Sequence, residues 1–361
     1  MNEHPTSTVV SSDLEQSPVE AQDKKAKATG GRPVPKRKKS NPFYNLRWRL
    51  GEYCVRGFLA VYPWLPRAVR VGLFQFINHL SYLVLWKYKK QLENNVAALM
   101  GDRFPTPEMR KEFVRRVWHN LSQVIYDTTW SIFAPKDEIR TTIDIVGEEH
   151  LIKALAKNRG VIGLSAHLGI FTVIGTRLAA EGYRFTGVVN LPGDPRYGEF
   201  MTELRARAGM ETLPLTPRRE AARQIIKALR QNYVVLILAD GPKRDGVEVT
   251  FLGHSRNAPR GPVTLAIRTG AAILPMFIIR CEDGRKVLHI KPEIEQPQTG
   301  DLMEDVIATV KLFTKELEAM VRRYPDQWEW IGFRERRSRK TKISKSNAHS
   351  TNQKNVTGAN F

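Results

Sequence analysis

Cysteine is scarce in this chain. Among its 361 residues only Cys54 and Cys281 are cysteines. They form neither a metal-ligand spacing nor a disulfide framework, which fits a reducing compartment. Two further signatures are missing: a glycine-rich phosphate loop that ends in Lys-Ser/Thr, and the Gly-x-Ser-x-Gly elbow of many hydrolases. Neither a metal nor a cofactor is therefore expected.

Long apolar runs are missing too. The first forty residues lack the apolar centre of a signal peptide, so secretion is not expected. The longest apolar segment, Val71 to Trp86, contains Gln75, Asn78 and His79 and is short for a membrane span. Aromatic and basic residues are mixed between about 46 and 90, which favours helices at a membrane interface. The alternative is two amphipathic helices that pack on a core and are broken at Pro63 and Pro66.

Acidic residues are outnumbered, 37 against 57 Lys and Arg, which gives a formal net charge of +20. Such a balance indicates an anionic partner: nucleic acid, anionic lipid or a phosphorylated substrate. The arginines and aromatics are not interleaved as on a nucleic-acid-binding platform, so we expect anionic membrane lipid and no nucleic acid. The composition predicts disordered basic tails at 1–42 and 338–361, a helical membrane-associated region at 43–133 and an α/β domain at 134–337.

From about residue 141, short apolar runs alternate with helical lengths. Strands are predicted at 142–146, 160–165, 184–189, 233–239, 247–251, 273–279 and 286–291. Helices are predicted at 148–157, 170–181, 195–208, 217–231, 260–269 and 303–323. This alternation predicts an α/β fold with a mixed, largely parallel sheet flanked by helices. In the preceding region, Thr106 is the expected cap of a helix with Pro107 at its first position.

One histidine lies where an α/β sheet forms sites. The segment "GVIGLSAHLGIFT" is typical of a buried strand, a turn that holds His167 and a helix that begins near Gly169. Ligands bind outside the carboxyl ends of such strands. A histidine there can act as a general base, and the helix N-terminus could stabilise negative charge. A structural histidine remains the alternative.

Several stretches together resemble one known family. They are "SAHLGIF"; the Arg-x-Arg-x-Gly cluster within "NLPGDPRYGEFMTELRARAGMETLP"; "LILADG" with the later "FLG" and "APRGP"; and the closing "YPDQWEWIGFRERR". In this order they resemble the bacterial lipid A late acyltransferases, within the lysophospholipid and glycerolipid acyltransferases. The resemblance covers roughly residues 50 to 337. It implies O-acyl transfer from acyl carrier protein or acyl-CoA to a hydroxyl of a glycolipid or glycerolipid, at the cytoplasmic face of the bacterial inner membrane.

The resemblance also implies roles for single residues. His167 would be the general base and Asp240 the matching acid at a strand end. Arg205 or Arg207 would bind a phosphate of the acceptor or carrier, and Arg260, at a helix start, could bind an anion. A solvated helix face for the arginines and a turn cap for Asp240 are the simpler alternatives.

Thr172 departs from the family pattern, which places an acid five residues after the histidine. A carboxylate there fixes the imidazole tautomer and stabilises the imidazolium. Three possibilities follow: another carboxylate, with Asp240 as the best candidate, reaches His167; Thr172 serves at a lower rate; or the protein is a catalytically impaired relative that only binds lipid.

Overall fold

The computed structural model describes residues 42–192 and 194–330, with side chains from Trp48 onward. The predicted tails, 1–42 and 338–361, lie outside the described residues except for Pro42. The chain divides into a short unit that ends at Trp48 and a large unit that begins at Arg49. Apart from the start of the first helix, residues 42–48, the fold described below belongs to the large unit.

Four helices come first. They are α1 (Pro42–Val61), α2 (Arg67–Val84), α3 (Trp86–Met100) and α4 (Pro107–Phe133). A short 3₁₀ turn that contains Pro63 separates α1 from α2, and Pro66 precedes α2, which are the breaks named in the alternative interpretation of this region. Pro cannot donate the backbone hydrogen bond that would continue a helix. The cap of α4 is also confirmed: the Thr106 hydroxyl accepts from the Met109 amide at 3.2 Å.

No single helix in residues 42–192 and 194–330 is long and apolar enough to cross a membrane. The pair α2 and α3 meets the length and composition requirements together, but it is bent by 80°.

The remaining elements alternate between helix and strand. The helices are α5 (Lys136–Thr142), α6 (Glu148–Leu155), α7 (Ile174–Ala180), α8 (Pro195–Arg207), α9 (Arg218–Arg230), α10 (Gly261–Thr269) and α11 (Leu302–Arg323). The strands are β1 (Ile143–Val146), β2 (Val161–Ser165), β3 (Phe185–Val189), β4 (Glu211–Pro214), β5 (Val234–Leu238), β6 (Val247–Phe251), β7 (His254–Ala258), β8 (Ala272–Arg280) and β9 (Lys286–Ile290).

Seven strands form one sheet in the order β1-β9-β8-β2-β5-β3-β4. Every pair in it is parallel except β8 and β9, so the expected mixed, largely parallel sheet is confirmed. Strands β6 and β7 form a separate antiparallel hairpin.

The central strands β2, β5 and β8 are buried on both faces of the sheet. Successive residues of β2 illustrate this: Ile162 and Leu164 face one hydrophobic cluster, and Val161 faces the other. The first cluster includes side chains of α3, α4, α9, α10 and α11, and the second includes side chains of α5, α6 and α7. Helices α3 and α4 therefore share a core with the sheet, a three-layer arrangement typical of α/β proteins.

Two strands, the short helix α5 and one helix start differ from the sequence-based expectation. Strands β4 and β7 were not predicted, because "ETLP" and "HSRNA" lack the apolar run on which strand assignment rests. The helix expected at 170–181 is a 3₁₀ turn at Phe171–Val173 followed by α7. Gly169 causes this delay: its φ of +62° turns the chain before a helix can begin.

Candidate active site

The pairing of two neighbouring strands brings His167 and Asp240 together. Strands β2 and β5 are parallel, with Ser165 opposite Leu238 at their carboxyl ends. His167 and Asp240 each follow these ends by two residues. The Ala239 amide donates to the Ser165 carbonyl at 2.8 Å, which extends the pairing one step beyond the strands. Two residues far apart in sequence thus meet at the edge where α/β sheets form sites.

Asp240 makes two hydrogen bonds with His167. Its Oδ1 lies 2.9 Å from His167 Nδ1, and its Oδ2 accepts the His167 backbone N–H at 3.0 Å. The indole Nε1 of Trp328 donates to the same Oδ2 at 3.2 Å. An ionised carboxylate only accepts hydrogen bonds, so Nδ1 must carry the proton. Nε2 of the neutral imidazole is therefore the basic nitrogen.

The two side chains of this pair differ in exposure. Asp240 is only 6% exposed, whereas His167 is 40% exposed. Burial lowers the pKa of His167, but the hydrogen bond and charge of Asp240, with the charge of Glu329, raise it above its ordinary value. Burial raises the pKa of Asp240, but its hydrogen bonds with His167 and Trp328 bring it below the ordinary value. The contact thus favours an aspartate and an imidazole of increased basicity.

Residues 324–330, the closing segment of the described chain, fix the histidine loop, which is residues 166–173 between β2 and α7. The Glu329 amide donates to the His167 carbonyl at 2.8 Å, and the Gly169 amide donates to the Gln327 carbonyl at 2.9 Å. The Ile170 amide donates to the Ile278 carbonyl of β8, also at 2.9 Å. The amides of Gly169 and Ile170 are thus already used within the fold. Backbone bonds on both sides hold the histidine loop.

Thr172 does not replace the acid at His167. Its hydroxyl is hydrogen-bonded to Thr128 Oγ1 of α4, with the two oxygens 2.5 Å apart. The His167 ring packs edge-on against Phe171, with ring centroids 5.0 Å apart. The structure therefore brings Asp240, and not Thr172, to the imidazole.

A cavity of about 300 Å³ opens beside His167. Its wall is mostly apolar and comes from α4, the histidine loop, the end of β8 and the closing segment. Apolar lining is provided by Val117, Leu121, Val124, Ile125, Ile170, Phe171 and Trp328, and polar lining by Asn120, Gln123, Arg280, Asp326, Gln327 and Glu329. An apolar cavity with few convergent polar groups is typical of a small-molecule site, and this volume lies at the lower end of the usual range.

Sequence reasoning missed an arginine at this cavity. Arg280, at the end of β8, lines it and forms an ion pair with Asp127 of α4. Asp127 is 1% exposed and also accepts from Lys286 Nζ at 2.6 Å. The only sequence signal was a charged residue at the end of a buried strand.

The three predicted anion-binding arginines lie elsewhere. Half-buried Arg205 donates to the Met201 carbonyl at 3.3 Å within α8, and exposed Arg207 pairs with Glu203 at 2.8 Å. Burial lowers the pKa of Arg205. Arg260 precedes α10 and borders a separate cavity of about 550 Å³. Among the described residues, the lining of the His167 cavity includes none of the three.

The expected helix N-terminus beside His167 is not found in this part of the chain. The 3₁₀ turn begins at Phe171 and helix α7 only at Ile174. The described residues contain no group of three His, Cys, Asp or Glu side chains that could hold a metal ion.

Comparison with known proteins identifies one family whose sequence model matches most of the chain. The sequence model of a family described as bacterial lipid A biosynthesis acyltransferase matches residues 37–336. This range includes the His167 loop, Asp240 and the closing segment.

Individual relatives are distant but align over most of their length. A phosphatidylinositol mannoside acyltransferase of Mycolicibacterium smegmatis is 26% identical over 74% of this chain and 85% of its own. A lipid A biosynthesis lauroyltransferase of Escherichia coli is 24% identical over 81% of this chain and 91% of its own. A lipid A biosynthesis palmitoleoyltransferase of the same organism is 24% identical over 62% of this chain and 71% of its own.

Proposed function

This chain belongs to the bacterial lipid A biosynthesis acyltransferase family and is an acyltransferase; from that premise we propose that it is a membrane-associated O-acyltransferase. It moves a fatty acyl chain from an acyl thioester to a hydroxyl group of a glycolipid or glycerolipid. The observation that carries this proposal is the hydrogen bond between His167 Nδ1 and Asp240 Oδ1 at the wall of an apolar cavity.

His167 is the general base in this proposal. Its Nε2 takes the proton of the acceptor hydroxyl while the oxygen attacks the thioester carbonyl carbon. The tetrahedral intermediate then collapses, the carbon–sulfur bond breaks, and the imidazolium returns the proton to the sulfur. The products are an ester and a free thiol. A positioned base of this kind typically contributes about 10²–10⁴ to the rate.

Asp240 orients His167 and supports its charge. Its two oxygens bond the backbone and the side chain of the same residue, which fixes both the loop and the ring tautomer. Because Asp240 is buried and ionised, its charge stabilises the imidazolium that forms during proton transfer. This arrangement supplies what the family pattern assigns to an acid at position 172.

The acceptor and donor follow from the relatives and from charge. The names of the relatives mention phosphatidylinositol mannoside and lipid A, so we assign a glycolipid as the preferred acceptor. Acyl carrier protein and acyl-CoA are both anionic, and the chain has a net charge of +20, which favours encounters with either. Arg205, Arg207 and Arg260 remain candidates for these contacts outside the cavity.

The N-terminal helices are the proposed contact with anionic lipid at the cytoplasmic face of the inner membrane. Large apolar side chains of the region are exposed, among them Trp64, Phe76, Leu80, Leu83 and Trp86. Positions 76, 80 and 83 follow helical spacing on α2, so they form one face. Exposed Arg67, Lys87 and Lys90 lie at the ends of this helix and at the start of α3. Aromatic and basic side chains together suit the headgroup region of a bilayer.

Acyl transfer from labelled acyl carrier protein or acyl-CoA to lipid A precursors, phosphatidylinositol mannosides and lysolipids tests the proposal. We expect wild type to acylate a glycolipid, and His167→Ala and Asp240→Asn to lose most of this activity while they still unfold cooperatively. Transfer that survives both substitutions would refute the assigned roles.

The alternative is a catalytically impaired relative that binds lipid on the same scaffold. Thr172, in place of the acid, is the observation that favours it. Thr172→Glu is the distinguishing variant, because it restores the family pattern. An inactive wild type together with an active Thr172→Glu variant would support the alternative.

A further inference from the structure

Glu329 carries a carboxylate and lines the same cavity as His167. Glu329 lies between Trp328 and Trp330, which are buried and pack with ring centroids 5.0 Å apart. Glu329 itself is half-buried and lines the cavity. Its amide donates to the His167 carbonyl at 2.8 Å. The two tryptophans and this bond fix the backbone that presents the carboxylate.

The charged groups around this carboxylate are few. The described lining of the cavity has four ionisable side chains: His167, Arg280, Asp326 and Glu329. Arg280 is paired with Asp127, which Lys286 also contacts. Asp240 is hydrogen-bonded to His167, and the backbone carbonyl of Asp240 accepts a hydrogen bond from Arg256. Within the described part of the chain Glu329 has no ion pair of its own; the charges that act on its carboxylate are those of His167 and Asp240.

We propose that Glu329 is a positioning residue that stabilises the imidazolium form of His167, with which it lines the same cavity. It thereby supplies a second negative charge, in addition to Asp240, where the family pattern has lost one at Thr172. The inference rests on the proposed function for its catalytic meaning, because it assumes that His167 accepts a proton.

The electrostatics of the pair agree with this role. Burial brings the pKa of Glu329 above its ordinary value; a protonated His167 lowers this pKa, and Asp240 raises it. The charge of Glu329 in turn raises the pKa of His167. Proton transfer to the imidazole therefore favours the ionised carboxylate, and the ionised carboxylate favours the transfer.

The test compares Glu329→Gln with wild type and with Asp326→Asn as a matched control. Asp326 is the other carboxylate of the cavity wall. Two readouts are needed: the titration of the His167 imidazole by NMR, assigned with His167→Ala, and the pH dependence of kcat/KM. In Glu329→Gln we expect the His167 titration midpoint to move to lower pH, since the imidazolium is less stable. At pH values above this midpoint, kcat should be about three- to tenfold lower than in wild type. In Asp326→Asn the midpoint stays at its wild-type value, and Glu329→Asp restores part of the shift.

Two results would overturn the inference: an equal shift in Asp326→Asn, or an unchanged His167 midpoint in Glu329→Gln. An unchanged midpoint together with a higher acceptor KM would make Glu329 a contact of the acceptor. A wild type without transfer, or transfer that survives His167→Ala, would instead refute the proposed function. The NMR titration tests the effect of Glu329 in that case too.

Discussion

Two side chains of the histidine loop have different partners. His167 is bonded to Asp240, and Thr172 is bonded to Thr128 of α4. A threonine in the position of the family acid therefore joins the loop to a helix and leaves the imidazole to a carboxylate from the next strand. The sequence could name Asp240 as a candidate, because it follows a buried strand. It could not decide between Asp240 and Thr172, because that choice depends on which strands are neighbours.

The different partners predict different effects of substitution. Thr172→Val should keep kcat within about threefold of wild type, because His167 retains its partner, and should cost about 1 kcal/mol of unfolding free energy from the lost hydrogen bond. Thr128→Val should cost more, because the Thr128 hydroxyl also donates to the Val124 carbonyl at 2.6 Å. Acyl-transfer assays and urea unfolding measure the two quantities. A loss of activity in Thr172→Val as large as that in His167→Ala would show that Thr172 serves the imidazole after all.

The pair of His167 and Asp240 should also make stability depend on pH. The folded pKa of Asp240 lies below its ordinary 3.8, so its contribution is present above that value and is lost as pH falls through the folded pKa. The folded pKa of His167 lies above 6.5, so its contribution is present below 6.5 and is lost as pH rises through the folded pKa.

We therefore expect the difference in unfolding free energy between wild type and Asp240→Asn to be largest between about pH 4 and 6.5, and to decrease on both sides. Chemical unfolding at a series of pH values measures this difference. A difference that does not vary with pH would mean that the contact carries no charge.

At the scale of elements, local sequence patterns predicted most of the individual strands and helix starts. Seven strands were found from their apolar runs, and the start of α4 from its cap. Strand β4 is short and partly exposed, and β7 pairs only with β6, so neither needs an apolar run. Sheet order is set by contacts between distant segments, for which one sequence has no signal. The position of Arg280 beside the cavity could not be derived for the same reason.

Gly169 tests how strictly the histidine loop is held. Its φ is +62°, and an added Cβ would lie 1.9 Å from the Ile278 carbonyl oxygen. Gly182 has a φ of +91° but no neighbour within 4 Å of such a Cβ. Gly182→Ala should cost about 1–2 kcal/mol for the left-handed backbone alone. Gly169→Ala should cost clearly more and lower acyl transfer, because the loop and β8 must separate. Urea unfolding of both variants gives the comparison, and equal costs would contradict this account of the loop.

At the scale of the whole molecule, exposed apolar side chains are concentrated near the start of the large unit. Among the residues whose side chains the structure describes, thirteen of the twenty exposed large hydrophobic residues lie between Leu50 and Tyr88. Apolar patches of this kind on a folded chain mark interaction surfaces. With the adjacent basic residues, they support the proposed contact with anionic lipid.

Introducing negative charge on this apolar face should reduce membrane binding. Phe76→Glu combined with Leu80→Glu should weaken binding to vesicles that contain phosphatidylglycerol by about tenfold or more, since two apolar contacts are lost and two negative charges are added. Ile152→Glu, at an exposed position of α6, is the control and should bind like wild type. Flotation of the full chain with vesicles measures binding. Equal binding by all three proteins would place the lipid contact outside this face.

The most direct test of the central account is the pH dependence of kcat/KM in wild type and Asp240→Asn. A general base must be neutral, so wild-type activity should rise with pH through a midpoint above 6.5. In Asp240→Asn the midpoint should move to lower pH, and activity should fall by up to about 10⁴-fold, as when the orienting acid of a comparable triad is replaced by its amide. A wild-type profile without this acidic limb, or an Asp240→Asn variant with the same midpoint and rate, would contradict the role of the His167–Asp240 pair.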